Sequence, residues 1–199
     1  MVLLQILVRN METLEKRKID LRKQMKILLK GIDPEEKMRL DHEIYVQALT
    51  NPELINANAV YAYMALPWET GTLELVEYFW NRGIKVAFPK VQGSEMEFFE
   101  VSSFDDLESG TFRILEPKAH CKQVEWPEAV IMVPGIAFSG NGRRLGKGGG
   151  YYDKYLDRYP GHKTVAFAYE FQMVSELPAE LHDQPVDFVI TENGSFFCK

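Results

Sequence analysis

The sequence predicts an α/β fold: a single domain with a mostly parallel sheet flanked by helices on both faces. Three observations carry this. Short runs rich in β-branched and aromatic residues alternate with longer amphipathic segments, the pattern of strand–helix units. Hydrophobic residues make up 46% and charged residues 26% of 199, the balance of a globular chain. No repeat, low-complexity tract or linker rich in Pro, Gly or Ser divides it, so residues 11–199 read as one α/β domain.

The elements follow in order. Leu14, Leu21, Met25 and Leu28 recur at helical spacing over 12–30, with Gly31 as a stop. Asp33 reads as the N-cap of a second helix that opens with Pro34 and runs to about Thr50. AVYAYMAL (59–66) is a buried strand. A helix over Thr72–Arg82 puts Leu73, Val76, Phe79 and Trp80 on one side and ends at Gly83. IKVAFPK (84–90) and MEFFEV (96–101) are strands, and FDDLESG (104–110) reads as a short helix with a glycine stop. AVIMVPG (129–135) is a strongly apolar strand. A glycine-rich loop and a helix over 151–159 follow it, then strands at KTVAFAYE (163–170) and PVDFVITE (185–192).

Residues 1–10 stand apart. The apolar stretch Val2–Val8 is too short to span a bilayer. It has no basic stretch before it and no small-residue cleavage site after it. Met11 opens a more ordinary start, so residues 1–10 are expected to be a dispensable extension.

Composition excludes several classes of function. A net charge of −6 and a pI near 5.3 argue against nucleic acid as a partner, since such binders present a basic face. Nothing suggests a membrane partner. Cys121 and Cys198 form no C-x-x-C pair, and the four histidines (His42, His120, His162, His182) are scattered, so neither a disulfide framework nor a zinc site is indicated. Reducing, cytoplasmic surroundings follow, with a monomer or weak homo-oligomer as the expected state.

Against that acidic background stands RRLGKGGGYYDKYL (143–156). A buried strand precedes this segment and a helix follows it. A loop entering a helix at the carboxyl end of a strand offers unpaired N–H groups and the positive end of a helix dipole. Glycines let the backbone approach an anion, while Arg143, Arg144 and Lys147 add full charges. This reads as a phosphate site, with Asp153 one turn into the helix and able to hold Mg²⁺ on the same phosphates. It is neither a Walker A loop nor a Rossmann fingerprint. Gly142 to Gly146 is one residue too short for the first, with Gly148 where Ser or Thr belongs, and for the second Leu145 and Tyr151 stand where the last glycine should be.

The longer stretch VPGIAFSGNGRRLGKGGGYYDKYL (133–156) resembles the signature of the 5-formyltetrahydrofolate cyclo-ligase family, P-G-x-A-F-x-x-x-G-x-R-L-G-x-G-x-G-Y-Y-D. The resemblance covers all but residues 1–10. Lys18-Ile-Asp-Leu-Arg22 is similar to the family's nucleotide-contacting K-x-x-x-R, and Met64-Ala-Leu-Pro-Trp-Glu69-Thr70 to its folate-pocket stretch. Phe167–Gln172, Leu177-Pro178, His182-Asp183 and Val186–Glu192 are similar to its C-terminal part. The chain departs from the pattern at Arg113, where glycine is common, and at Gly149, where some members carry a basic residue.

What the resemblance implies is a three-layer sandwich like that of sugar-phosphate isomerases and CoA-transferases. The implied reaction takes 5-formyltetrahydrofolate and ATP, with Mg²⁺, to 5,10-methenyltetrahydrofolate, ADP and phosphate. ATP contacts are implied for Lys18, Arg22, Arg144, Leu145, Gly146, Lys147, Gly148, Gly149, Gly150, Tyr151 and Tyr152, and substrate contacts for Met64, Glu69, Lys147, Gly148, Gly149, Gly150 and Tyr151. Lys147 and Arg144 are the implied catalytic cations, and Asp153 and Asp187 the implied metal pair. Taken alone, Lys18 and Arg22 would be a solvated basic face, Glu69 a first-turn acid, and Asp187 the outward residue of a half-buried strand. A sugar-phosphate binder on a similar scaffold is the competing class, and it would need no metal pair for ATP.

Overall fold

The computed structural model describes residues 2–110, 114–180 and 183–198; Arg113 and His182 lie outside them. Among the described residues five α-helices form: α1 (Val2–Lys30), α2 (Pro34–Ala48), α3 (Pro52–Ile55), α4 (Leu73–Asn81) and α5 (Tyr151–Arg158). The strands are β1 (Ala59–Tyr61), β2 (Lys85–Gln92), β3 (Glu95–Glu100), β4 (Leu107–Ser109), β5 (Leu115–Pro117), β6 (Val130–Met132), β7 (Ala137–Ser139), β8 (Arg144–Leu145), β9 (Thr164–Phe167), β10 (Met173–Val174), β11 (Phe188–Thr191) and β12 (Gly194–Phe197).

Seven strands form the central sheet in the order β12-β11-β9-β6-β1-β2-β3. The inner pairs are parallel, with Val60 opposite both Val86 and Val130, while β12 and β3 close the two edges antiparallel. Period-two alternation sends neighbouring side chains to opposite faces. Val60, Val86, Val130 and Val165 pack with Met25 and Leu29 of α1, Ile44 and Ala48 of α2, and Val76 and Phe79 of α4. Tyr61, Ala87, Ile131 and Ala166 face the other way, onto Tyr155 and Leu156 of α5. There Tyr61 stacks on Phe98 with centroids 4.2 Å apart. The layers are therefore helix, sheet, helix, as expected.

One feature of the strand order positions the candidate active site. The chain leaves β1 toward β2 on one side and leaves β6 toward β9 on the other, yet β1 and β6 are neighbours. The loops after β1 (62–72) and after β6 (133–150) therefore diverge, leaving a crevice at the carboxyl ends of the strands, the usual ligand position in open α/β sheets.

Several boundaries differ from the sequence expectation. The first helix starts at Val2 rather than residue 12, because neither Gly nor Pro interrupts the chain before Gly31. The second is capped as expected, Asp33 accepting from the N–H groups of Glu35 and Glu36 at 2.9 and 3.3 Å. Segment 104–110 is not a helix. Asp106 takes the N–H groups of Ser102 and Ser103 and closes one 3₁₀ turn, after which Leu107 turns into the core and β4 pairs with β5. The loop after β6 contains a hairpin, β7–β8, whose strands are too short to leave a period in the sequence.

Candidate active site

The glycine run sits at the crevice. Gly148 and Gly150 have φ of 110° and 67°, where a β-carbon would be strained. Gly150 is the N-cap of α5 and supplies no capping side chain, unlike Asp33 of α2 or Asn51 of α3. The first N–H groups of α5 are thus left for another acceptor. Arg22 reaches across from α1, donating from Nε to the Gly146 carbonyl at 2.8 Å, with its guanidinium near Gly148.

Lys147 and Glu69 meet here. The Lys147 Nζ lies 2.6 Å from Glu69 Oε1, joining the loop after β6 to the loop after β1. Glu69 is 4% exposed, and its Oε2 accepts from the Leu66 N–H at 2.9 Å. The ion pair misses hydrogen-bond direction, so buried Oε1 accepts no hydrogen bond. Two phenols stand in the field of this carboxylate. Burial first, and then Glu69, hold Tyr63 far above its ordinary titration range; Tyr152 is also raised by burial and Glu69, against the pull of Arg144. Both stay neutral donors at any physiological pH. The Tyr152 hydroxyl is buried and has no hydrogen-bond partner among the described residues.

Two cavities flank the pair. One, of about 540 Å³, lies between α2 and the loop after β1, lined by Lys37, Asp41, Tyr45, Pro67, Glu69 and Phe167 among others. The other, of about 550 Å³, runs along α1 and is lined by Ile19, Arg22, Lys23, Lys26, Ile27, Lys30 and Lys147. Glu69 belongs to the first and Lys147 to the second, so their ion pair is the partition. Met64 is half-buried and packs against the core beside Tyr63, outside the residues lining the first cavity.

Other expected residues are placed differently. Arg144 is no rim charge: it is buried, with Nη2 on Asp153 Oδ1 at 2.8 Å and Nη1 on the Pro134 carbonyl at 3.2 Å. Arg143 lies in the turn of the β7–β8 hairpin, at the end away from Gly146. Leu145 turns its side chain into the core, and the Tyr151 ring lies against Gly149. Lys18 is buried between Glu180 Oε2 (2.6 Å) and Asp183 Oδ2 (2.8 Å), clasping α1 to the segment before β11.

The two aspartates expected to share a metal are not brought together. Asp153 stands at the crevice and accepts from Arg144 and from the Gln184 N–H. Asp187 precedes β11, at the opposite end of the sheet, where its Oδ2 accepts from both the N–H and Oγ1 of Thr164. Among the described residues, no group of three or more His, Cys, Asp or Glu could hold a metal. The residues present do not fit a two-aspartate Mg²⁺ site.

Sequence reasoning missed Asp41. On α2 it looks like a solvated acid, but its carboxylate accepts from Lys37 (2.5 Å), the Gly71 N–H (2.9 Å) and the Tyr169 hydroxyl (2.7 Å). It thereby ties α2 to the loop carrying Glu69 and to the end of β9. Nothing in the local sequence signals partners 30 and 128 residues away.

The Lys18 clasp carries a pH dependence. Burial works against its charge, but the hydrogen bonds it donates to Asp183 and Glu180 outweigh that and raise its pKa above 10.5. A folded pKa above the unfolded one gives stability that is complete below the unfolded value and lost as pH rises through the folded value. Lys18→Met should therefore melt below wild type by a gap that is steady at neutral pH and narrows above about pH 10.5. A gap unchanged up to about pH 12 would show that the charge is not what holds the clasp.

Comparison with known proteins gives the same region a family. The model of the 5-formyltetrahydrofolate cyclo-ligase family matches residues 14–192. The 5-formyltetrahydrofolate cyclo-ligase of Escherichia coli is 29% identical over 170 residues, covering 81% of this chain and 93% of that protein. The one from Mus musculus is 25% identical over 196 residues, covering 92% and 97%. The NMR structure of 5,10-methenyltetrahydrofolate synthetase from Aquifex aeolicus superposes with a TM-score of 0.81 at 32% identity, covering 92% of this chain and 93% of that one. With the family match spanning the Lys18 clasp, Glu69 and the glycine run alike, the chain belongs to the 5-formyltetrahydrofolate cyclo-ligase family.

Proposed function

We propose that this chain closes 5-formyltetrahydrofolate to 5,10-methenyltetrahydrofolate at the expense of ATP, releasing ADP and phosphate. Beyond family membership, the observation that carries this is the pair of cavities meeting at Glu69 and Lys147. The cavity beside α2 takes the pterin, whose N–H groups suit the Glu69 carboxylate. The basic groove along α1 takes the nucleotide, with its phosphates turned toward Arg22, Lys147 and the uncapped start of α5.

The chemistry suits these residue types. A formamide oxygen is a poor nucleophile and a poorer leaving group. Transfer of the γ-phosphoryl to it gives an iminophosphate and ADP. The secondary amine N10 then attacks the formyl carbon, the carbon–oxygen bond breaks, and the oxygen leaves as phosphate with the amine's proton. Such a transfer needs positioning and charge neutralisation rather than a protein nucleophile. Lys147 stands where formyl oxygen and phosphoryl would meet. Arg144 supports it from below by bracing Asp153 and the Pro134 carbonyl, and Lys18 acts by fixing α1, from which Arg22 reaches the loop. Magnesium would arrive on the nucleotide, held chiefly by phosphate oxygens and water. Cys121 is a free thiol, in keeping with the reducing, cytoplasmic setting proposed for the chain. No helix among the described residues is long and apolar enough to cross a membrane.

The primary test is absorbance of the methenyl product with 5-formyltetrahydrofolate, ATP and Mg²⁺; a folded protein that yields none would remove this reading. Lys147→Ala should keep the fold and lower kcat by about two to three decades, the scale of losing a donor to a developing negative charge. Near-normal turnover would make Lys147 incidental.

Asp153→Asn distinguishes a brace from a metal ligand. As the partner of Arg144, its loss should lower turnover in a way that excess Mg²⁺ does not restore. Recovery at high Mg²⁺ would return Asp153 to the metal.

We also propose that residues 1–10 are dispensable, since the family match begins at residue 14. A chain starting at Met11 should keep its melting temperature and turnover. A drop of several degrees would make the first turns of α1 structural.

A further inference from the structure

We infer that the Lys147–Glu69 ion pair is a latch shared by the two pockets, so that nucleotide and folate each promote binding of the other. This rests on the proposed activity and adds to it a coupling between its two substrates.

The geometry leads there directly. Glu69 lines the cavity beside α2, Lys147 lines the groove along α1, and the 2.6 Å pair between them stands where the reacting groups must meet. The pair therefore has to open during the reaction. Its two ends are unequal. Lys147 keeps about a third of its side chain in solvent, with a relative exposure of 36%, whereas the Glu69 side chain is 4% exposed. Glu69 Oε2 is occupied by the Leu66 N–H, and among the described residues Oε1 has only Lys147 as counter-charge and no hydrogen bond. The Tyr152 hydroxyl, which has no hydrogen-bond partner among the described residues, lies buried in the field of the same carboxylate.

Consider each ligand alone. A phosphate that draws Lys147 away strands a buried carboxylate, and breaking a buried pair from one side is strongly unfavourable. A pterin that donates N–H groups to Glu69 competes with Lys147 for the same oxygen, leaving the ammonium without its counter-charge. Together the two ligands remove both penalties. Glu69 receives the pterin's donors while Lys147 receives the phosphate. Each ligand then raises the affinity of the other by the same factor, as linkage requires.

The test is calorimetric titration with the magnesium complex of a non-hydrolysable ATP analogue, with and without saturating 5-formyltetrahydrofolate, and the reverse titration. In wild type, each ligand should tighten the other about tenfold, within the usual range for coupled sites. Glu69→Gln carries no charge to strand, so its coupling factor should fall toward one. Its affinity for the analogue alone should rise above wild type, which loss of structure would not produce. Lys147→Met, at a partly exposed position, should also abolish the coupling while the protein melts cooperatively. Wild-type binding of both ligands with a factor of one overturns the latch and leaves the proposed activity standing. So does a Glu69→Gln variant that binds the analogue no better than wild type. Absence of binding by either ligand overturns both.

Discussion

The site depends on one buried carboxylate. Glu69 sits in the loop after β1 with almost no exposure, and burying a carboxylate is costly unless a cation is delivered to it. That cation, Lys147, comes from the loop after β6. The meeting is possible because β1 and β6 are sheet neighbours from which the chain departs in opposite directions. Any other strand order would send the two loops to different places. The α/β topology thus matters to function through one consequence: it opens a crevice at the strand ends and places opposite charges on its two walls.

Four cations near that crevice have partners within the chain. Lys18 is held by Glu180 and Asp183, Arg144 by Asp153, Lys147 by Glu69, and Arg22 by the Gly146 carbonyl. An acidic protein can keep a basic site this way without its loops repelling one another. The partnerships also sort the cations. Lys18 and Arg144 are buried and fix the chain in place. Lys147 is part-exposed and is the one able to change partner. Asp41 does the same bracing from α2, binding the Gly71 N–H at the end of the loop that carries Glu69 and the Tyr169 hydroxyl beyond β9.

Much of this was legible in the residues. The layer order, the main strands, the caps at Asp33 and Gly83, and the glycine run as the start of a helix all leave local marks: periodicity, a capping side chain, or a residue that tolerates positive φ. Elements without such marks were missed. The β7–β8 hairpin and β10 are two or three residues long, too short for a period, and β12 carries the exposed Phe196 and Phe197 where alternation would place polar residues. Segment 104–110 has a helix-like composition but is closed after one turn by Asp106, a hydrogen-bonding choice that composition does not encode.

The site shows the same division. Residue types at the glycine run were enough to suggest an anion site, because cations, bare backbone and a helix start have few other joint uses, whereas Lys18, Arg22 and Glu69 took on meaning only through the family resemblance. The roles of individual charges were not. Asp153 and Asp187 are the same side chain, yet one braces Arg144 at the crevice and the other binds Thr164 at the far end of the sheet. Arg143 and Arg144 are adjacent, yet one is exposed in a hairpin turn and the other is buried beneath the loop. By itself, then, the sequence determined the fold class, the caps and the glycine run as the entry to a helix, since these rest on propensity, pattern and backbone permissiveness within a few residues. Only the tertiary structure decided which charge pairs with which, because a carboxylate's role is set by the donors around it, and here those donors come from segments up to 165 residues away.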